Sequence, residues 1–215
     1  MIVRQTTLLY DEFSSNIPDT WQANSQWYNP NGYVSHYISG GNIGVKMKAQ
    51  SWSEPSQGQG SKGNVFGWER GRDLRLYARF KLTTFTSGSL NYNDCWIGFA
   101  GSPVAFSSTW FGLKSYWGTG FAFNAQSNIG GSSQQATSFT ATADNSWHEL
   151  WITCLGSSSN VTVQLDSETV TLLNANLTTN DLAPSWWFWS NDSNNERGLD
   201  IDKMQVSQNR SWTHT

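Results

Sequence analysis

Charge is scarce in this chain: 13 Lys and Arg and 16 Asp and Glu in 215 residues amount to 13% and a formal net charge of -3. An average globular protein carries about 25%. No basic stripe exists to displace counterions from phosphates, because Arg70, Arg72, Arg75 and Arg79 are interrupted by Glu69 and Asp73; this speaks against a nucleic-acid partner. Long apolar runs are missing too, and none approaches the roughly 20 residues of a membrane-spanning helix. Met1 to Thr7 lacks the basic and apolar regions of a secretory signal. Either a signal has been removed or the chain is made and assembled without that export route. Two cysteines, Cys95 and Cys154, are too few for a disulfide framework. Each is in phase with apolar neighbours, as a small buried thiol would be; a single bridge between neighbouring strands is the alternative. The histidines, His36, His148 and His214, are isolated, and no H-E-x-x-H, G-x-S-x-G, C-x-x-C or phosphate-loop pattern occurs. Zinc, serine-hydrolase, redox and nucleotide chemistry therefore lack sequence support.

Aromatic side chains are abundant, at 14% with 13 Trp, so a sizeable packed core is available and disorder is excluded. Helical periodicity is absent, and alternation of period two recurs instead. In Leu74-Arg75-Leu76-Tyr77-Ala78-Arg79-Phe80-Lys81-Leu82 the aliphatic and Phe side chains fall on one face, and the polar ones with Tyr77 on the other. That is the pattern of a half-buried antiparallel strand. Further strands are expected at 43–48, 95–100, 109–113, 121–125, 150–154, 161–165, 186–190 and 199–206. Turn clusters such as Gly130-Gly131-Ser132-Ser133 and Gly156-Ser157-Ser158-Ser159-Asn160 separate them. Only 172–182 suits a short helical turn, and the Ser/Gln/Gly-rich tract 50–64 reads as a long surface loop. Many short strands without interleaved helices predict one all-β domain over 1–215, a two-sheet sandwich or a barrel.

The order of these segments resembles the concanavalin A-like lectin/glucanase jelly roll, the LamG-type antiparallel β-sandwich. The likeness lies in Tyr10-Asp11-Glu12-Phe13 followed by Trp21, and in Gly40-Gly41-Asn42-Ile43-Gly44-Val45. It continues in Trp147-His148-Glu149-Leu150-Trp151-Ile152, Val161-Thr162-Val163-Gln164-Leu165-Asp166 and the closing Leu199-Asp200-Ile201-Asp202-Lys203-Met204-Gln205-Val206. It implies a two-sheet jelly roll. It does not imply an activity, since lectins, hydrolases, lyases and structural proteins share the fold. The glucanases' E-x-D-x-x-E strand and the alginate lyases' Arg/Glu, Gln-x-His and Tyr-rich strands have no counterpart here. The resemblance also implies a structural calcium ion held by the closing-strand Asp, here Asp202, with Asp11 or the Gly41 carbonyl beside it. Asp202 is in phase with Met204 and Val206 and is expected to point inward, where a carboxylate needs compensation. Bonds to backbone N–H groups or to Lys203 would serve as well as calcium.

Tryptophan in excess of what a core absorbs points to a ligand platform. Strand phase turns Trp96, Trp110 and Trp151 away from the core, and one face of Trp186-Trp187-Phe188-Trp189 must leave it. Exposed indoles stack on the C–H faces of sugar rings while amides and carboxylates take the hydroxyls. The candidate ligand-binding set is therefore Trp96, Trp110, Trp151, Trp187, Trp189 and Trp68, with Glu69 and Asp94 close to indoles in sequence. Packing under loops or against a partner subunit is the competing role for each indole. Glycoside hydrolysis would need two carboxyls about 5 to 10 Å apart. Asp200/Asp202 and Asp166/Glu168 have a suitable spacing in sequence, although Ser167 begins a turn in the second pair, and chance yields such pairs too. Three functions stay open: a lectin-like module for carbohydrate recognition or adhesion, a polysaccharide-cleaving hydrolase or lyase, and a structural virion decoration or tail-fibre protein with protein assembly partners. All three fit an extracellular, virion or cell-surface setting.

Overall fold

The computed structural model describes residues 2–11, 35–39, 42–47, 56–61, 73–83, 93–100, 110–115, 122–129, 132–142, 146–175, 183–190 and 197–212. The described residues form strands joined by turns. In chain order these are β1 (Ile2–Asp11), β2 (Ser35–Ser39), β3 (Asn42–Met47), β4 (Ser56–Ser61), β5 (Leu74–Thr83), β6 (Asn93–Ala100) and β7 (Trp110–Ser115). They continue with β8 (Ala122–Ile129), β9 (Ser132–Thr142), β10 (His148–Cys154), β11 (Val161–Leu165), β12 (Glu168–Leu172), β13 (Ala183–Ser190) and β14 (Arg197–Trp212). An 8-stranded sheet has the order β12-β11-β10-β5-β14-β3-β2, with β1 also paired to β14; a 6-stranded sheet has the order β4-β13-β6-β7-β8-β9. All of these pairings are antiparallel.

The two sheets face each other across one core. The larger sheet contributes Leu74, Leu76, Ala78, Phe80 and Leu82 of β5, Leu150, Ile152 and Cys154 of β10, and Val161, Val163 and Leu165 of β11. The smaller sheet meets them with Ile97 and Phe99 of β6, Phe111 and Leu113 of β7, Phe123 of β8 and Trp186 of β13. Phe80 and Phe123 touch edge to face across the layers, with centroids 5.7 Å apart at 88°. Burying each such ring contributes about 2 kcal/mol by area. This is a two-sheet antiparallel jelly-roll sandwich, as the alternation and the resemblance predict. Cys95 and Cys154 are both buried free thiols, one in each sheet, so the alternative of a bridge between neighbouring strands is not realised.

Three local outcomes differ from the sequence reading. The tract 50–64, expected to be loop, supplies β4, an edge strand paired residue for residue with β13. Its Gly and Gln residues carry no hydrophobic alternation, so only the backbone ladder reveals it. In the stretch 172–182, Leu173 and Asn174 form a turn rather than a helix, and Asn174 has φ 53°; residues 176–182 lie outside the described residues. Finally, β14 carries a bulge. Ile201 lies opposite Phe80 and Lys203 opposite Arg79, leaving Asp202 as the extra residue. The bulge reverses the phase, so Leu199 and Ile201 point into the core before it and Met204 and Val206 after it.

Candidate functional site

Alternation puts the second set of β5, β10, β11 and β14 side chains on the outer face of the larger sheet. The registers arrange them in rows. Gln205, Tyr77, Trp151 and Gln164 lie side by side across four strands, and Ser207, Arg75 and Thr153 form the next row. These seven residues line a groove of about 400 Å³. Trp151 is 42% exposed, although it is flanked on both sides by paired strands. Its ring lies 4.4 Å from that of Tyr77, tilted by 44°, so the two form a single aromatic surface. Four strands at about 4.8 Å spacing span roughly 14 Å, the length of a short oligosaccharide. Chemically the groove offers an apolar aromatic face, two side-chain amides, three hydroxyls and one guanidinium.

The row beyond Tyr77 is charged and internally matched. Tyr77 Oη donates to Glu149 Oε1 at 3.4 Å. Partial burial and the neighbouring Glu149 carboxylate push the Tyr77 phenol above its ordinary pKa, so it remains a neutral donor. Arg79 pairs with Asp202 at 2.6 Å, and Lys81 with Asp200 at 3.4 Å. Both cations also lie over the Trp147 ring, 4.5 and 4.8 Å from its centroid. Asp200 and Asp202 do share the outer face, but as partners of these two cations.

Asp202 is a correction. The expected inward carboxylate gives way to an outward residue held by Arg79, because the bulge moves Asp202 out of phase with Met204. The backbone of Asp11 pairs opposite Met204 in the β1–β14 ladder. Among the described residues no group of three or more His, Cys, Asp or Glu comes together. Gly41 and the side chain of Asp11, the expected companions of Asp202, lie outside the described residues.

Trp96 and Trp110 are a second correction. They point away from the inter-sheet core, as strand phase predicts, yet they are only 3% and 4% exposed. Their rings meet edge to face, with centroids 5.6 Å apart at 73°, and close with Ala100 into a satellite cluster on the outer side of the smaller sheet. Between them, Gly98 and Gly112 lie opposite each other. Trp187 sits opposite Trp96 in the register, and Trp189 opposite Asp94. The side chains of Trp187, Trp189 and Asp94, together with Trp68 and Glu69, lie outside the described residues. Of the described members of the expected ligand set, Trp151 is placed in the groove. Tyr77, Arg75, Thr153, Gln164, Gln205 and Ser207 went unremarked in the sequence as ligand residues, although each occupies the alternate phase to a core residue.

Asp166 and Glu168 flank the β11–β12 turn, and each carboxylate is engaged by other groups. Asp166, with φ 51°, accepts from the Glu149 N–H at 2.9 Å and contacts His148 Nδ1 at 2.8 Å. His148 is itself buried among Phe80 and Phe123, a core histidine. Glu168 reaches across to β9, as described below.

No family model matches this sequence, and no curated protein matches it. Solved structures do resemble it in shape. The carbohydrate recognition domain of Emp46p, in its metal-free form, aligns with TM-score 0.64 at 13% identity over 93% of this chain and 94% of its own. The CBM2 module of the evolved Dit of Lactobacillus casei BL23 phage J-1 aligns with TM-score 0.65 at 8% identity, over 99% of this chain and 100% of its own. LamAcat from Zobellia galactanivorans aligns with TM-score 0.66 at 14% identity, over 94% and 98%. With its two antiparallel sheets facing across one core, this chain has the concanavalin A-like jelly-roll fold.

Proposed function

We propose that this chain is a single carbohydrate-binding domain spanning 1–215, and that it holds a glycan in the groove over Trp151 and Tyr77. The observation that carries this reading is the exposed indole in mid-sheet. An indole 42% open to water and seated among hydrogen-bonding side chains is a stacking surface, and a sugar ring covers it while its hydroxyls meet Gln205, Ser207 and Thr153. The lining supplies stacking surface and hydrogen-bonding groups, which is binding chemistry. The nearby carboxylates Asp200 and Asp202 are already paired with Lys81 and Arg79. The neighbours by fold support the same reading, since one is a carbohydrate recognition domain and another a phage CBM2 module. Recognition of surface glycan by an extracellular or virion-borne protein, including an adhesive role, is the setting in which we read it. The Emp46p domain also has a potassium-bound form; our reading of this chain assigns no metal to Asp202.

A glycan array probed with wild type and with Trp151→Ala tests the proposal. Binding to a defined set of sugars, lost in the variant while its melting curve is unchanged, is the expected result. Undiminished binding by Trp151→Ala would overturn it. Release of reducing ends from any bound polysaccharide would replace binding with cleavage.

A further inference from the structure

We infer that the groove is built for an acidic sugar, whose anionic substituent meets Arg75 while its ring lies on Trp151; the inference rests on the reading just given. It starts from an imbalance among the cations that β5 presents outward. Arg79 has Asp202, Lys81 has Asp200, and both have the Trp147 face. Arg75 has no carboxylate among the described residues, and its Nε is buried without a hydrogen-bond partner. It stands in the wall of the groove between Ser207 and Thr153. The nearest acid in sequence, Asp73, is committed elsewhere: its Oδ1 accepts from the Gly156 N–H at 2.9 Å and its Oδ2 from Asn209 Nδ2 at 2.7 Å.

A partly buried guanidinium without a counter-charge favours an incoming anion, because the ligand supplies that charge and accepts from the fork. The planar fork of Arg suits a carboxylate or a sulfate or phosphate ester, with two parallel N–H···O contacts. Among the described residues no carboxylate belongs to the groove lining to repel such a group. The spacing fits a single residue of a glycan. Trp151 lies two positions from Thr153 on β10, and Thr153 is directly opposite Arg75, so the platform and the cation are diagonal neighbours about 7 Å apart. A pyranose ring stacked on the indole carries its exocyclic acid across that gap.

The test measures affinities of the intact protein for matched polymers by affinity electrophoresis or calorimetry. Polygalacturonate against its methyl ester reads a carboxylate, and chondroitin sulfate against desulfated chondroitin reads a sulfate. We expect one acidic polymer to bind at least about tenfold tighter than its matched partner. That ratio should collapse toward unity in Arg75→Gln, recover in part in Arg75→Lys, and shrink as salt is raised. Equal affinity within both pairs, or a preference that survives in Arg75→Gln, overturns the inference. Failure of the two proposals is distinguishable. Binding that disappears in Trp151→Ala but shows no acid preference leaves the groove reading standing and removes only the role of Arg75. Binding indifferent to Trp151→Ala, or no glycan binding at all, removes both.

Discussion

Glu168 on edge strand β12 of the larger sheet grips Thr140 on edge strand β9 of the smaller one. Its Oε2 accepts the Thr140 N–H at 2.9 Å, and its Oε1 accepts the Thr140 hydroxyl and, at 3.3 Å, the Ala141 N–H. One carboxylate thus ties the two layers together at this edge.

These hydrogen bonds, the Thr140 hydroxyl first, hold the Glu168 carboxyl below its ordinary value of 4.5. A depressed folded-state pKa means that the stabilisation is fully present above the unfolded value and is lost as pH falls through the folded one. Melting curves between neutral pH and pH 3 should therefore show an acid-side decline beginning near pH 4.5. Glu168→Gln, which keeps an acceptor but cannot ionise, should be less stable at neutral pH and show a shallower decline. An identical acid slope in the variant would contradict this.

The glycine pair in the smaller sheet leaves no room for a side chain. A Cβ on Gly98 would sit 2.3 Å from the Phe111 carbonyl oxygen, and one on Gly112 2.3 Å from that of Ile97. Because both obstacles are backbone, the strands must separate to admit it. Gly98→Ala and Gly112→Ala should each cost about 2 kcal/mol or more in urea unfolding. A variant of wild-type stability would show that the strands yield freely.

The Arg79–Asp202 pair is partly exposed, so solvent screening limits its value. A double-mutant cycle over Arg79→Ala and Asp202→Ala should give a coupling below about 1 kcal/mol that falls with added salt. Because Asp202 is engaged by Arg79, calcium should change the melting temperature of wild type and Asp202→Asn equally. A calcium-dependent rise confined to wild type would restore the metal role.

The thiols offer a simple probe of the core. Cys95 and Cys154 are buried, and burial pushes the Cys154 thiol well above its ordinary pKa. Neither should react with iodoacetamide in the native protein, and both should be labelled in denaturant. Rapid native labelling of either would contradict the packing.

How much of this was legible depends on the kind of signal. Strand β11 follows its alternation at both ends, and β5 exceeds its expected bounds by a single residue, because apolar and polar side chains there mark two different environments. β9 and β4 carry mostly Ser, Thr, Gln and Gly, so pattern reading cannot see them. Phase correctly turned Trp96 and Trp110 away from the main core, but phase names a face without saying whether that face is covered. The bulge at Asp202 escaped because an extra residue leaves no compositional mark. Tyr77 and Trp151 were each legible as outward. Their partnership depends on the register of two strands far apart in the chain, which no local pattern encodes.

Strand β14 lies at the centre of the larger sheet, with β5 on one side and β3 and β1 on the other. Residues 197–212 follow β1 and β3 at long range in the sequence. During synthesis β1 and β3 emerge while β14, to which both pair, is still untranslated. The larger sheet can therefore be completed only after residue 212 has cleared the ribosome, so maturation is a late, long-range event sensitive to premature termination.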